Sequence, residues 1–308
     1  GQLDELALYP DGGGYLLRSA LADKHGVNAD QITLGNGSND VLDMVARVFL
    51  SPGKEAVFSE YAFAVYPIST QAVGATARIS KAVDYGHDLE AMKSLINDNT
   101  SVIFIANPNN PTGTWLKEKP LKEFIDSIPG HIIVVVDEAY VEYVDAPEYP
   151  DATQWLPDHP NLIVTRTFSK AYGLASLRIG YSLSHPEVTD LLNRVRQPFN
   201  VNTLAQAAAL ASLQDEEHIR LSVETNRSGM QQYEEAFKAM GLDWIPSVGN
   251  FITVNLGKDA AQIDKALLTQ GVITRPVANY GLPNHLRISI GLNEQNERCI
   301  DALRQVLG

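Results

Sequence analysis

His131-Ile-Ile-Val-Val-Val-Asp-Glu-Ala-Tyr140 is the most strongly β-forming segment of the chain, and it ends in two carboxylates. An unbroken Ile/Val run reads as a central parallel strand buried on both faces, with helices before and after it. A carboxylate at the end of such a strand is costly unless a cation meets it, and the protonated nitrogen of a bound pyridine ring would serve. Asp137 is therefore the first candidate site residue.

Two more apolar strands lead to polar groups in the same way. Val102-Ile-Phe-Ile-Ala106 runs into Asn107-Pro-Asn-Asn-Pro-Thr-Gly113. The two prolines stiffen a loop that can be neither helix nor ladder, so Asn110 is held with little freedom. Asn161-Leu-Ile-Val-Thr165 reads as a buried strand, which puts Lys170 on the loop leaving it. Partial desolvation there lowers the pKa of an amine and frees it for Schiff-base chemistry. Thr167 and Ser169 offer hydroxyls, and Arg178 a planar fork, to an anion beside that amine. An amine next to a phosphate cradle suggests pyridoxal phosphate, although a lone Ser-Lys pair reads more simply as solvated surface. In an open parallel sheet the C-terminal strand ends share one edge where ligands bind, so Asn110, Asp137 and Lys170 are predicted to meet there.

The flanking segments support an α/β architecture. Leu6-Ala-Leu-Tyr-Pro-Asp-Gly-Gly-Gly14 is a turn-rich arm, with Tyr9 fixed before a proline, that needs something else to pack on. A helical pattern follows over 15–25. Ile32-Thr-Leu34 is a short strand, and Gly35-Asn-Gly-Ser-Asn39 opens an amphipathic helix whose N-terminus is a potential anion site. The backbone amides of Ser38 and Asn39 are candidate phosphate donors, with a plain N-cap the competing reading. The motif is neither a dinucleotide fingerprint nor a Walker loop. After the strand at 55–59, Tyr61 reads equally as a ring that stacks on a flat cofactor or as core, and Phe63 reads as core. Ile179-Gly-Tyr-Ser-Leu183 is predicted as an antiparallel partner strand. Helices then follow over 186–196, 203–213 and 215–240, before strands at 249–255, 272–274 and 285–290 alternate with helices at 260–270 and 293–307. The predicted organisation is an arm (1–25), a large mostly parallel α/β domain (26–222) and a small α+β domain (223–308), dividing inside the long helix. Arg275 and Arg287 fall on or near strands of the small unit. Each alone is satisfied by an internal carboxylate, but as a pair near a cleft they suit a substrate carboxylate or phosphate.

The chain has 308 residues, 44% of them hydrophobic, which is enough for two units sharing a large core. A net charge of -13, with no basic cluster, argues against a nucleic-acid partner and leaves anionic substrates to local arginines. The single Cys299 excludes an internal disulfide framework and suits a reducing cytoplasm. No apolar run approaches membrane-spanning length, no basic leader opens the chain, and no metal is assigned.

Asn107-Pro-Asn-Asn-Pro-Thr-Gly113, Asp137-Glu-Ala-Tyr140, Ser169-Lys170 and Leu177-Arg178 together resemble the fold-type-I pyridoxal-phosphate aminotransferases in order and approximate spacing. The likeness spans nearly the whole chain. Tyr9-Pro10, Gly35-Asn-Gly-Ser-Asn39, Gly249-Asn-Phe251, Arg275-Pro276 and His285-Leu-Arg-Ile-Ser-Ile-Gly291 narrow it to the histidinol-phosphate aminotransferases. The resemblance implies that Lys170 carries the cofactor and moves the substrate proton, and that Asp137 keeps the ring nitrogen protonated. It further implies that Asn110 and Tyr140 bind the ring oxygen and that Tyr61 stacks on the ring. The phosphate falls to Ser169, Arg178 and the Ser38 and Asn39 amides, aided by Thr167. Tyr9 of the partner subunit reaches that phosphate in a homodimer. Arg287 receives the glutamate carboxylate or the substrate phosphate, with Arg275 and Asn250 assisting. Family members also carry a further N-terminal segment that closes over the substrate, ahead of the point where this chain starts. The same scaffold serves aromatic-amino-acid aminotransferases and phosphate-recognising decarboxylases. A non-catalytic pyridoxal-binding regulatory module is the alternative from another class, and the acidic charge counts against it.

Overall fold

The computed structural model describes residues 2–308. Its larger sheet collects β1 (Ile32–Gly35), β2 (Glu55–Ser59) and β3 (Thr76–Ser80), and a small hairpin of β4 (Ala82–Val83) and β5 (Gly86–His87) follows. The sheet is completed by β6 (Thr100–Ala106), β7 (Ile133–Asp137), β8 (Leu162–Thr167) and β9 (Gly180–Ser184), in the order β1-β9-β8-β7-β6-β2-β3. The Ile/Val run thus occupies the middle of seven strands and runs parallel to β6 and β8. Its composition follows from that place. Val134 and Val136 pack with Ile103 and Ile105 in one core, and Ile133 and Val135 pack with Val102 and Phe104 in another on the opposite face. With successive side chains pointing to opposite faces, each position buries an apolar group worth about 1.5–3 kcal/mol. As expected, β9 is antiparallel to β8, and it carries β1 as an antiparallel edge.

The smaller sheet contains β10 (Asp243–Ile245), β11 (Phe251–Asn255), β12 (Arg275–Val277) and β13 (Leu282–Ser289), antiparallel in the order β10-β11-β13-β12. Its core lies under the helices Ala260–Thr269 and Asn293–Leu307 and the end of the long helix Glu216–Met240. Asp215 caps that helix at His218 N–H, and Gly241 ends it in the left-handed region. The expected division between residues 222 and 223 falls inside this helix.

One strand lies elsewhere than the sequence reading put it. Residues 272–274 are not a strand; β12 begins at Arg275, and Ile273 is 85% exposed. Apolar character misled here because β12 is an edge, pairing only with β13, and an edge tolerates Pro276, which has no N–H to donate.

The end of β7 is anchored by a buried ion cluster. Arg166 donates through Nε and Nη2 to Glu138 Oε2 at 2.9 and 2.7 Å and through Nη2 to Asp151 Oδ1 at 2.8 Å, while Glu138 Oε1 accepts Ala152 N–H at 3.0 Å. Removing the guanidinium leaves Glu138 buried without its cation. Arg166→Leu is expected to cost about 3–5 kcal/mol, read as a lower urea midpoint; an unchanged midpoint would show that the cluster does not anchor the fold.

Candidate active site

The three parallel strands deliver their polar ends to one place. Ala106, Asp137 and Thr165 are register partners across β6, β7 and β8, so the segments that follow converge at the C-terminal sheet edge. A cleft opens there, lined among others by Ser38, Phe63, Asn110, Asp137, Lys170 and Arg178. Asn39, Tyr140, Thr167 and Ser169 complete the set of expected residues in its wall.

Asp137 is buried, and its two oxygens accept Thr165 Oγ1–H at 2.8 Å and Tyr66 O–H at 2.9 Å. Burial pushes its pKa up, opposed by those two hydrogen bonds and by the charge of Lys170. No cation contacts it among the described residues, so a protonated ring nitrogen is the partner its surroundings lack. Lys170 Nζ stands 5.0 Å from the centroid of the Tyr140 ring. Burial, then the nearby Arg287 charge, pulls the Lys170 amine below the ordinary lysine range.

The anion cup is built from close backbone approaches. The helix Ser38–Phe49 starts at Gly37, which has a φ of 81°, and a Cβ there would stand 2.5 Å from Arg178 Nη2. Gly180 likewise lets Ser38 N approach to within 2.3 Å of where its Cβ would be. Asp40 accepts Asn36 N–H at 2.8 Å, while the Ser38 and Asn39 N–H groups have no acceptor among the described residues. Those two free donors at a helix N-terminus, with Arg178 above them, make a phosphate-sized site. Arg178 itself holds a left-handed φ of 57°, and its Nη1 donates to Ala175 O at 2.7 Å and Ser169 Oγ at 3.5 Å. The Thr167 hydroxyl accepts Ser169 N–H at 3.1 Å, so it shapes the cup from behind.

The small unit brings one arginine against a residue of the cleft wall. Arg287 Nη1 donates to Asn110 Oδ1 at 2.5 Å, and its guanidinium lies 5.3 Å from the Phe251 ring centroid. Arg275 is its register partner across β12 and β13. Neither arginine is ion-paired to a carboxylate among the described residues, and like charges set opposite each other call for an anion between them. Gly113 brings the Asn110 loop against Ser247, and Thr253 Oγ1 donates to Pro111 O at 2.6 Å, so the two units meet across this loop.

Five expected residues lie outside the cleft wall: Arg287, which reaches it through Asn110, its register partner Arg275, and three others. Tyr61 faces Tyr85, ring centroids 5.8 Å apart, and Phe63 takes the place in the wall. Asn250 sits against the Tyr143 phenol in a separate groove. Tyr9 stacks on Phe199 at 4.8 Å, is 83% exposed and does not reach the cleft of its own chain. Conversely, Tyr66 and Thr165, which hold the carboxylate, carried no motif of their own. The only trace was their position, Thr165 closing an apolar strand and Tyr66 within an aromatic-rich segment.

The family described as aminotransferase class I and II matches residues 1–303. The chain belongs to the class I and II aminotransferases. Within this family, it is 60% identical over 305 residues to histidinol-phosphate aminotransferase 2 of Pseudomonas fluorescens strain Pf0-1, covering 99% of this chain and 82% of that one. It is 58% identical to the Pseudomonas aeruginosa protein of the same name, covering 99% and 83%. These relatives put this aminotransferase in the histidinol-phosphate branch. A solved histidinol-phosphate aminotransferase from Sinorhizobium meliloti, in complex with pyridoxal 5'-phosphate, superposes with a TM-score of 0.93 at 29% identity, covering 99% of this chain and 84% of that one. An aspartate aminotransferase variant from Thermus thermophilus, at 23% identity and a TM-score of 0.87, shares the fold.

The charge environment of Lys170 sets a pH dependence for reactions of its neutral amine. Capture of pyridoxal phosphate needs the neutral amine, so the capture rate is expected to fall with an inflection below pH 10.5. Arg287→Ala, which removes a cation that lowers the pKa, is expected to move the inflection upward. Absorbance titration over pH checks this, and an inflection at the ordinary lysine value in both proteins would contradict it.

Proposed function

We propose that the chain is a pyridoxal-phosphate aminotransferase working between glutamate and imidazole acetol phosphate, giving 2-oxoglutarate and histidinol phosphate, a step of histidine biosynthesis. The observation that carries this is the meeting of Asp137, Asn110 and Lys170 at one sheet edge beneath an unpaired arginine couple. The donor set fits the cofactor: a buried carboxylate without a cation, a desolvated amine, and free helix amides beside an arginine. Bound there, pyridoxal phosphate supplies an electron sink for negative charge developing at the substrate Cα.

The protein's own groups supply the rest. Asp137, oriented by Thr165 and Tyr66, keeps the ring nitrogen protonated. Lys170 would hold the group through its amine and is the base placed to move a proton at the substrate Cα; burial and the Arg287 charge lower its basicity. Asn110, whose Oδ1 is occupied by Arg287, offers its NH₂ to the ring oxygen together with the Tyr140 hydroxyl. The Ser38 and Asn39 amides, Ser169 and Arg178 hold the phosphate, with Thr167 bracing Ser169. Phe63 rather than Tyr61 covers the ring face. Arg287, opposite Arg275, receives the glutamate carboxylate in one half-reaction and the anionic end of the second substrate in the other, and Asn250 borders this region. In the net exchange the amino group and Cα hydrogen of glutamate are traded for the keto oxygen of imidazole acetol phosphate, giving 2-oxoglutarate and histidinol phosphate.

A homodimer completes this reading. The arm exposes Leu3, Leu6, Leu8 and Tyr9 on a single chain, an apolar strip suited to a second copy, where Tyr9 of the partner subunit would reach the phosphate. We also propose that the domains divide at 222/223 and that the enzyme works in the cytoplasm, in keeping with its single free, buried cysteine. No helix among the described residues is long and apolar enough to cross a membrane.

Two assays test the reading. Lys170→Ala should abolish both transamination and the visible absorbance of bound pyridoxal phosphate. Arg287→Ala should raise KM for glutamate and for histidinol phosphate by about tenfold or more. Parent-like kinetics in either variant would remove the assigned role, and a higher kcat/KM for phenylalanine than for histidinol phosphate would move the enzyme to the aromatic class.

A further inference from the structure

The hairpin of β4 and β5 turns through Asp84 and Tyr85 alone, and both have positive φ, 48° and 63°. That is the two-residue turn in which glycine or asparagine is favoured, and a tyrosine in the left-handed region is held there against its preference. Such an outlier points to a task for the side chain.

The contacts of the turn indicate the task. Its base is fixed to the large unit, with Lys81 on Glu60 at 2.7 Å and His87 Nε2 on Ala106 O at 2.9 Å. The Tyr85 carbonyl accepts Thr114 Oγ1–H at 3.3 Å, from the segment that follows the Asn110 loop. The Tyr85 ring lies 5.8 Å from the Tyr61 ring and 5.9 Å, edge to face, from the His285 ring of β13. His285 and Arg287 are two residues apart on one strand, on the face opposite Leu286 and Ile288, which pack in the small-unit core. The one ring that crosses from this hairpin to the small unit therefore abuts the strand face that carries Arg287 toward Asn110.

We infer that Tyr85 is a positioning residue: wedged between Tyr61 and His285, it sets the seat of β13 and so the placement of Arg287 against the substrate anion. The inference rests on the reading of Arg287 as the anion receptor. It also accounts for Tyr61, which stands in this aromatic bridge outside the cleft wall.

The strained backbone makes the test selective. In the holoenzyme, Tyr85→Gly relieves the turn while deleting the ring. The melting temperature should stay equal or rise by about 2 °C. KM for glutamate and for histidinol phosphate should rise about tenfold, with kcat and the cofactor spectrum within about twofold of the parent. A ring that merely stabilises the fold would give a lower melting temperature and an unchanged KM, and that result overturns the inference. His285→Leu cuts the bridge at its other end and carries the test alone if the glycine variant does not fold. It should raise KM similarly, and the double variant should add nothing further; an unchanged KM in His285→Leu, or effects that multiply in the double variant, also overturns it. Arg287→Ala, measured alongside, separates the two readings. An unchanged KM there removes the premise and the inference with it, while a raised KM there with parent-like Tyr85→Gly kinetics rejects the Tyr85 role alone.

Discussion

A carboxylate buried at the end of the central strand is the constraint around which this molecule is arranged. Asp137 sits between two hydroxyls, Thr165 on the neighbouring strand and Tyr66 on the helix Val65–Ala72, and the charge of Lys170 acts on it. Both hydroxyls donate to it, which keeps the oxygens pointed while leaving their charge unneutralised. A protein maintains such a group only where a cation will visit, because desolvation costs several kcal/mol per ion without one. The flanking strands then have little choice: their registers bring the Asn110 loop and the Lys170 loop to the same edge.

The second constraint is the apposition of two units across that edge. The Asn110 loop belongs to the large sheet, yet its Pro111 and Gly113 carbonyls accept from Thr253 and Val248 of the small one, and its Asn110 side chain accepts from Arg287. One asparagine thus lines the cleft of the large unit and holds Arg287 of the small one.

Much of this was legible in the residues and some was not, for identifiable reasons. The β7 run and its neighbours were readable because burial on both faces demands unbroken Ile and Val, a pattern that few other elements produce. Asn110, Asp137 and Lys170 were readable because each follows such a run. The surroundings of Tyr61 and Phe63 were not, since local spacing does not say which ring in a turn faces a cleft; Phe63 lines the cleft and Tyr61 stands against Tyr85. The two arginines were weighed as a pair, while their direct opposition across β12 and β13 depended on a register that begins at Arg275, immediately after the triplet expected to be the strand. Tyr66 was hidden among aromatics whose sequence neighbours explain it as core, and indeed it stacks on Phe104 at 4.8 Å while its hydroxyl does the polar work.

The central claim is chemical: one lysine of this chain, and the buried carboxylate beside it, receive a pyridoxal ring. Borohydride trapping of added pyridoxal phosphate, followed by peptide mass spectrometry, measures this most directly. The account predicts the pyridoxyl mass on Lys170 alone, and a marked loss of that labelling in Arg178→Ala, which weakens the phosphate cup. Label spread over surface lysines, or concentrated on a lysine remote from Asp137, would contradict it.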